Sequence, residues 1–246
     1  MKNLIMTTAF IALFLPSAKA DVLGVKAGYQ HWKSEVSGYF GEGADSTITN
    51  DGRDNTFGKF YIAFEHPMPL IPNVELALTQ HDVSASDSIT STYVLGDQTF
   101  PVATDLVGRS DTSSVDILLY YEVFDSSIVN LDVGVNAMYY SVDYIASDVA
   151  SSLTGENTVS TIIPMLYARA ESGLPLLGIS GYVSLMSGSD AEKIDAGVSY
   201  KFIDSAIIDM TMSFGYRESS VTLDDVDDIF AMSEYDGIYL GIQFDI

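Results

Sequence analysis

The sequence predicts an all-β protein, a transmembrane up-and-down antiparallel β-barrel of about ten strands, with eight or twelve strands also compatible with the pattern. Three observations predict it. The 246-residue chain is 47% hydrophobic, yet after its N-terminal region no apolar stretch is long enough for a spanning helix. Apolar and polar residues instead alternate in ten segments. The links between these segments alternate between short turns and long polar stretches, as in barrels that cross a membrane.

The N-terminal segment predicts export. Residues 1–20 have a basic start, an apolar stretch from Leu4 to Leu15 and a small-x-small sequence at Ala18-Lys19-Ala20. This is the pattern of a secretory signal peptide, because the apolar stretch is too short for a comfortable membrane anchor. We therefore divide the chain into a signal peptide, 1–20, and one barrel domain, 21–246.

Charge and cysteine content exclude several classes of function. The chain has 34 acidic and 11 basic residues, a net charge of −23 and no cysteine. A polyanion does not suit nucleic acid, because both carry the same charge. The lack of cysteine excludes a disulfide framework and covalently attached haem. We predict no cofactor and no nucleic-acid partner.

The strands follow one another in order along the chain. In each of them alternate residues are apolar and predicted to face lipid, while the residues between them are polar, small or tyrosine and predicted to face the lumen. Pro164 lies within the sixth strand and predicts a bulge or a later strand start, because proline lacks a ladder donor. The predicted strands are 22–32, 57–66, 74–81, 114–124, 131–140, 160–171, 178–187, 193–202, 206–217 and 235–246.

The links predict which end of the barrel lies outside. Those after the second, fourth, sixth and eighth strands are short, whereas stretches such as 38–55 and 83–113 are long and polar. We expect the short links to be periplasmic turns and the long ones to be acidic surface loops. A soluble β-sandwich also shows alternation, but it would not confine long polar loops to one end of nearly every hairpin.

Inward-facing charges of both signs form the candidate site. Buried charges require partners, so we predict a salt-bridge and hydrogen-bond network that largely plugs the lumen. The alternative is a small passive channel that favours cations, because inward acids outnumber inward bases. The network consists of Lys26, Lys59, Glu75, Asp116, Glu122, Asp132, Arg169, Asp195, Lys201 and Asp209.

The last strand carries a candidate assembly signal. The sequence YLGIQFDI places Tyr239, Gly241, Phe244 and Ile246 in an aromatic-x-Gly-x-x-apolar-x-apolar pattern. It resembles the terminal β-signal of bacterial outer-membrane barrels, although the usual final residue is aromatic. On this signal, the DVLGVKAGY start and the Gly- and Tyr-rich strands, the chain resembles a family of small Gram-negative outer-membrane barrels of unassigned function. The resemblance implies an outer-membrane location, with membrane lipids, lipopolysaccharide and the barrel-assembly machinery as partners, and no catalytic residue.

Enzymatic and metal-binding alternatives have weaker support. Omptin-like proteases use paired acids and a His-Asp pair near the outer rim, for which His81-Asp82 and Asp224–Asp228 are the candidates, but the surrounding sequence does not match. A lipid hydrolase would need a histidine base among His31, His66 and His81, none of which lies in a family motif. We therefore predict a non-enzymatic protein with a structural or surface-interaction role.

Acidic residues in the predicted loops are candidate ligands of divalent cations. Carboxylate oxygens suit calcium and magnesium, but DDVDD lacks the spacing and the glycine of a calcium loop. Solvated loops are therefore the favoured interpretation and no metal site is assigned, while weak cation binding shared with lipopolysaccharide phosphates stays open. The residues concerned are Asp45, Asp51, Asp54, Asp224, Asp225, Asp227 and Asp228.

Overall fold

A computed structural model describes residues 24–43, 47–68, 70–126, 128–205 and 207–246. The predicted signal peptide, 1–20, lies outside the described residues. Except for a short 3-10 turn, Pro175–Leu177, the regular structure is strand. The strands are β1 Gly24–Glu42, β2 Ile48–Glu65, β3 Asn73–Ser88, β4 Tyr93–Leu95, β5 Gln98–Phe100, β6 Asp105–Asp125, β7 Val129–Asp148, β8 Thr154–Leu174, β9 Ile179–Ser187, β10 Ala191–Ile203, β11 Asp209–Val226 and β12 Ile229–Asp245.

Ten of these strands close into one antiparallel barrel, which confirms the predicted fold class and strand number. Each strand pairs with its neighbours in the order β1-β12-β11-β10-β9-β8-β7-β6-β3-β2, and β2 returns to β1. The seam between β1 and β12 extends from Lys26↔Asp245 to Glu42↔Ile229. Backbone hydrogen bonds in both directions between Val25 and Ile246 complete it.

One half of the barrel carries an apolar belt on its outside. Side chains such as Phe60, Leu166 and Phe214 are more than half exposed and alternate with lumen-facing residues. Exposed apolar area of this extent is typical of a surface in contact with lipid. The four short links lie at the end of this half, together with the Lys26↔Asp245 end of the β1–β12 seam. That end is the predicted periplasmic end.

The other half departs from the prediction, because the polar stretches expected to be loops are mostly strand. Residues 38–55 contain the end of β1 and the start of β2, and residues 83–113 contain the end of β3, the β4–β5 hairpin and the start of β6. The reason is an inversion of the side-chain pattern. In β7, Val142 and Tyr144 are buried inside while Asp143 faces out, so these segments have water outside and an apolar core within.

The outer half divides into two sheets. The β2–β3 ladder extends only from Phe64↔Val74 to Gly58↔Gln80, and β9 and β10 turn back near residues 188–190. The sheet β11-β12-β1-β2 therefore lies opposite β3-β6-β7-β8, as in a sandwich. Phe40 of one sheet stacks on Tyr144 of the other with ring centroids 4.6 Å apart. The buried core between the sheets includes Ile48, Leu106, Val142, Val159, Ile163, Val221, Leu223 and Ile229.

The β4–β5 hairpin covers the outer end of this core. Tyr93, Leu95 and Phe100 are fully buried. Burial raises the pKa of Tyr93, so its phenol stays neutral. Glu42 of β1 fixes the hairpin, because one of its carboxylate oxygens accepts a hydrogen bond from the Gly96 amide at 2.6 Å and one from the Asn157 side chain at 2.6 Å. The outer mouth of the barrel is thus closed by the chain itself.

Pro164 lies inside β8 without a register shift, opposite Ala137 of β7, which corrects the predicted bulge or later start. The amide of Gly173 donates to Ile128 on the β7 side. The backbone hydrogen-bonding groups of successive residues point to the two neighbouring strands in turn. The backbone of residue 164 therefore points toward β9. The β8–β9 ladder ends at Leu166↔Ser187, so the missing proline donor falls where β9 no longer pairs.

Candidate functional site: the barrel lumen

Ion pairs line the lumen within the lipid-facing half. Lys26 pairs with Glu65 at 2.7 Å, Arg169 with Glu171 at 2.7 Å, and Lys201 with Asp209 at 2.6 Å. The Lys59–Glu75 pair is looser, at 3.7 Å. Strand alternation points these side chains inward, where partial burial favours pairing with an opposite charge.

A fifth ion pair spans the lumen. Lys193 on β10 donates to both carboxylate oxygens of Asp116 on β6, at 2.7 and 2.9 Å. The Asn136 amide donates to the same carboxylate at 2.7 Å. Three strands separate β10 from β6 in the barrel order, so this contact braces opposite walls.

Arg217 forms the most enclosed contact of the lumen. Its guanidinium donates to Asp195 at 2.8 Å and to the Gln30 side-chain oxygen at 2.6 Å. It also lies over the rings of Trp32 and Tyr239, at 5.2 and 4.9 Å from their centroids. Arg217 is only 5% exposed, so one cation ties β11 to β10, β1 and β12.

The structure brings most of the predicted network together. Eight of the ten predicted residues have an ion-pair partner, since Lys26, Lys59, Glu75, Asp116, Arg169, Asp195, Lys201 and Asp209 are all paired. Glu122 and Asp132 are cross-strand neighbours and form no ion pair within the described residues. One carboxylate oxygen of Asp132 is buried without a hydrogen-bond partner there.

Four partners were absent from the predicted network: Glu65, Glu171, Lys193 and Arg217. All four lie at lumen-facing alternate positions of strands that the sequence identified. Lys193 is two residues before Asp195, and Arg217 is two residues after Gly215. The same alternation, extended to the strand ends, would have found them.

An aromatic layer separates the charged lumen from the outer core. It consists of Trp32, Phe57, His81 and Tyr235. His81 lies with its ring centroid 4.2 Å from that of Phe57 and 4.5 Å from that of Tyr235, and Trp32 contacts the other three rings. On the periplasmic side of this layer is a cavity of about 820 Å³, lined by the ion pairs and by Tyr61, Tyr120, Tyr167 and Tyr182.

The structure separates His81 and Asp82, the candidate pair of the protease alternative. The side chain lies inside the barrel, 9% exposed, and Asp82 points outward as an exposed residue. Consecutive residues of a strand face opposite sides, so the two cannot activate one water molecule. The acidic cluster at the β11–β12 turn is exposed to solvent and lies away from His81. It consists of Asp224, Asp225, Asp227 and Asp228.

The other two histidines have distinct surroundings. His66 lies in the β2–β3 link, where its Nδ1 accepts a hydrogen bond from the Met68 amide at 3.2 Å and its own amide donates to Asn73 at 3.0 Å. It therefore orders a turn at the periplasmic end. His31 is exposed on the outer face of β1, opposite Leu240.

The described residues assemble no metal centre. No group of three or more His, Cys, Asp or Glu side chains within them could hold a metal ion. Asp54 instead pairs with Lys33 at 2.9 Å on the surface. Asp45 lies outside the described residues.

The residues of the candidate assembly signal take two orientations. Tyr239 is buried in the lumen, where its hydroxyl contacts that of Tyr182. Gly241 is also buried, and a Cβ at this position would lie 2.4 Å from Ser213 Oγ. Phe244 and Ile246 fall on the lipid-facing parity of β12, with Ile246 69% exposed.

Comparison with known proteins gives similarity at the level of the fold. No protein-family model matches the chain, and no curated protein sequence matches it. Solved structures similar to it include the translocator domain of autotransporter NalP from Neisseria meningitidis, with 9% identity, a TM-score of 0.47, and 98% of this chain and 95% of that chain covered.

Two further structures are similar over most of the chain. The outer membrane protease OmpT from Escherichia coli has 8% identity and a TM-score of 0.44, with 94% of this chain and all of that chain covered. Ail, the attachment invasion locus protein of Yersinia pestis, has 10% identity and a TM-score of 0.43, with 92% and 100% covered. Similarity at this level carries no argument about role.

Within the described residues no helix is long and apolar enough to cross a membrane.

The strand pairing of this chain is the observation that indicates a membrane-spanning barrel. A bilayer leaves no lipid-exposed backbone unpaired, which requires a closed sheet, and this sheet is closed. With its closed sheet, apolar belt and polar lumen, the chain has the architecture of an integral membrane β-barrel.

Proposed function

We propose that this protein is a non-enzymatic outer-membrane barrel without a through-pore, with a structural or surface-interaction role in the cell envelope. The occluded lumen is the observation that carries the proposal. The layer of Trp32, Phe57, His81 and Tyr235 and the apolar core beyond it occupy the path from the charged cavity to the outer mouth. A packed interior of this kind does not conduct ions, because ions require a hydrated path.

The second candidate is a narrow cation-favouring channel, supported by the acidic cavity of about 820 Å³ at the periplasmic end. Conductance of the refolded protein in a planar bilayer separates the two. The proposed function predicts no defined single-channel steps. A matched variant with small side chains in the layer, Trp32→Ala with Phe57→Ala, serves as the comparison. Stable current steps from the unmodified protein would overturn the closed-barrel proposal and favour the channel.

The absence of enzymatic activity is part of the same proposal. It is supported by the separation of His81 and Asp82 onto opposite faces of β3, which removes the candidate omptin-like pair. Incubation of the refolded protein with dibasic peptides and with phospholipid tests it. Hydrolysis that disappears in His81→Ala would contradict it.

Partners follow from the location and the surface. We propose contact with outer-membrane lipids and lipopolysaccharide through the belt and its outer edge, and weak divalent-cation binding at exposed acids. We also propose that the barrel-assembly machinery recognises β12 through Tyr239, Gly241, Phe244 and Ile246. The pairing of β12 along the whole of β1 supports this, since β12 is the strand that completes the barrel.

A further inference from the structure

The outer part of β8 has an open edge. Its ladder with β7 continues to Ser147↔Thr154, but its ladder with β9 stops at Leu166↔Ser187. Among the described residues, no strand pairs with this side of residues 154–165. The turn at residues 188–190 forms the lower boundary of the opening. There a Cβ on Gly188 would lie 2.4 Å from the Pro164 carbonyl oxygen.

The backbone groups at this edge have a definite direction. The backbone N–H and C=O groups of odd-numbered residues in β8 point toward β7, as the hydrogen bond from Gly173 to Ile128 shows. This holds along the whole strand, because the β7–β8 pairing has no register shift. The amides and carbonyls of Thr158, Ser160 and Ile162 therefore face the opening, whereas the carbonyl of Glu156, which has the same parity, lies against Gly96 of the β4–β5 hairpin. Pro164 has the same parity and supplies no donor.

The composition of the edge favours pairing with another strand. Residues 157–163 are NTVSTII, rich in β-branched residues and without charge. Natural proteins normally protect open edges with charges, prolines or covering segments. Here Pro164 acts in that way at one end. At the other end Gly96 of the β4–β5 hairpin covers the Glu156 carbonyl, since a Cβ on Gly96 would lie 2.2 Å from that oxygen. Residues 158–162 between them have no such protection. Ile162 is 67% exposed on the outside, next to the opening.

The charges around the edge indicate what would pair with it. Glu156 is exposed at its outer end, and Asp190 and Glu192 are exposed at its lower boundary. Across the opening, the amide of Thr222 on β11 donates to the Asp190 carbonyl at 2.9 Å, and two exposed acids, Asp224 and Asp225, follow. The opening thus has an uncharged centre and acidic surroundings.

We propose that the open edge of β8, residues 158–162, accepts an extended basic segment of another protein as an added antiparallel strand. Main-chain hydrogen bonds give such pairing its affinity, and lysine or arginine at the ends of the segment complements the flanking acids. The inference deepens the proposed surface-interaction role, on which it rests. A second copy of this chain fits poorly. Two barrels in one membrane are related by an axis along the membrane normal, which does not bring two β8 edges antiparallel, and their acidic surfaces repel.

The test uses the refolded full-length protein in detergent micelles and a fluorescent peptide of alternating valine and threonine with lysines at both ends. Anisotropy should show saturable binding that weakens with salt. The same peptide N-methylated on alternate amides should bind at least about tenfold more weakly, because it loses several ladder bonds. A peptide with glutamates at its ends should also bind more weakly. Absence of binding by the parent peptide, or equal binding by the methylated one, overturns the proposal.

Variants locate the site. Ser160→Pro removes an amide that faces the opening and leaves the β7 ladder intact, so peptide affinity should fall about tenfold. Ser160→Ala, which keeps the amide, is the matched control and should bind as the unmodified protein does. Pro164→Ala restores a donor and should tighten binding. Unchanged affinity in a folded Ser160→Pro protein would place the peptide elsewhere. If the peptide does not bind and the protein also shows no conductance, the proposed strand addition at β8 is refuted while the closed-barrel function stands.

Discussion

Single residues in the lumen differ in how much they contribute to stability. Arg217 is almost fully enclosed and makes two charge-assisted hydrogen bonds and two ring contacts. Lys33 pairs with Asp54 at a similar distance, but both side chains are more than half exposed. Breaking a buried pair leaves an uncompensated charge, whereas an exposed pair is screened by water.

We therefore expect Arg217→Met to lower the free energy of unfolding by about 3–5 kcal/mol. The matched Lys33→Met change should cost less than about 1 kcal/mol. Urea unfolding in detergent, followed by tryptophan fluorescence and gel mobility, measures both. Equal stability of the two variants would show that loss of Arg217 does not leave Asp195 as an uncompensated buried charge.

The sequence predicted most lumen positions because each inward residue follows from the apolar face of its own strand. Lys193 and Arg217 lie at the ends of the predicted strands, where the apolar pattern fades, and their partners are not local. Arg217 bonds Gln30, which is 187 positions away in sequence. Alternation can assign a side chain to the lumen, but it cannot say which opposite charge the barrel brings to it.

Among the strands, β12 contributes both to the stability of the folded barrel and, as we propose, to its recognition during assembly. Leu240 lies on the lipid side of β12, 53% exposed, between Phe214 of β11 and His31 of β1. Phe244 lies on the same face at the periplasmic end, near the interface. The two positions therefore separate the cost of a charge in lipid from the recognition of the strand end.

Leu240→Arg should destabilise the refolded barrel by about 2–4 kcal/mol, the cost of such a charge near the bilayer midplane. Phe244→Lys should refold in detergent with little loss, yet yield less assembled, heat-modifiable protein in the outer membrane. Outer-membrane yield and in-vitro refolding are compared for both. Normal membrane yield after deletion of Phe244 to Ile246 would contradict an assembly signal in this strand.

The β4–β5 hairpin is the other element with a separable role. It contributes the buried side chains Tyr93, Leu95 and Phe100 to the outer core. Replacing residues 93–100 with a short Gly-Ser linker should make the outer half sensitive to protease, because it exposes that core. It should not create a conductance, since the layer around Trp32 remains. Current steps from this variant would show that the hairpin, not the aromatic layer, closes the barrel.

The whole molecule has two environments along one set of strands. Lipid imposes apolar residues outside and polar ones inside, and the sequence predicted all ten strands from that pattern. In the outer half the surroundings are water, and the inside becomes a packed core, so the pattern inverts. A stretch such as β7 beyond Tyr139 then carries Ser141, Asp143 and Ser147 on its outer face and resembles a loop in composition. Its pairing with β6 and β8 in the folded protein reveals it as sheet.

This architecture changes what protease should do to intact cells. Long loops would be cut readily, but strand backbones are protected by their ladders. Cleavage should therefore be slow and confined to the outer connections, near residues 89–92, 101–104 or 149–153. The linker variant that lacks the hairpin should be cut faster at the same end. Rapid cleavage within 38–42 or 105–113 would mean that these segments are loops after all, and cleavage in the β2–β3 link around His66 would mean that the barrel has the opposite orientation in the membrane.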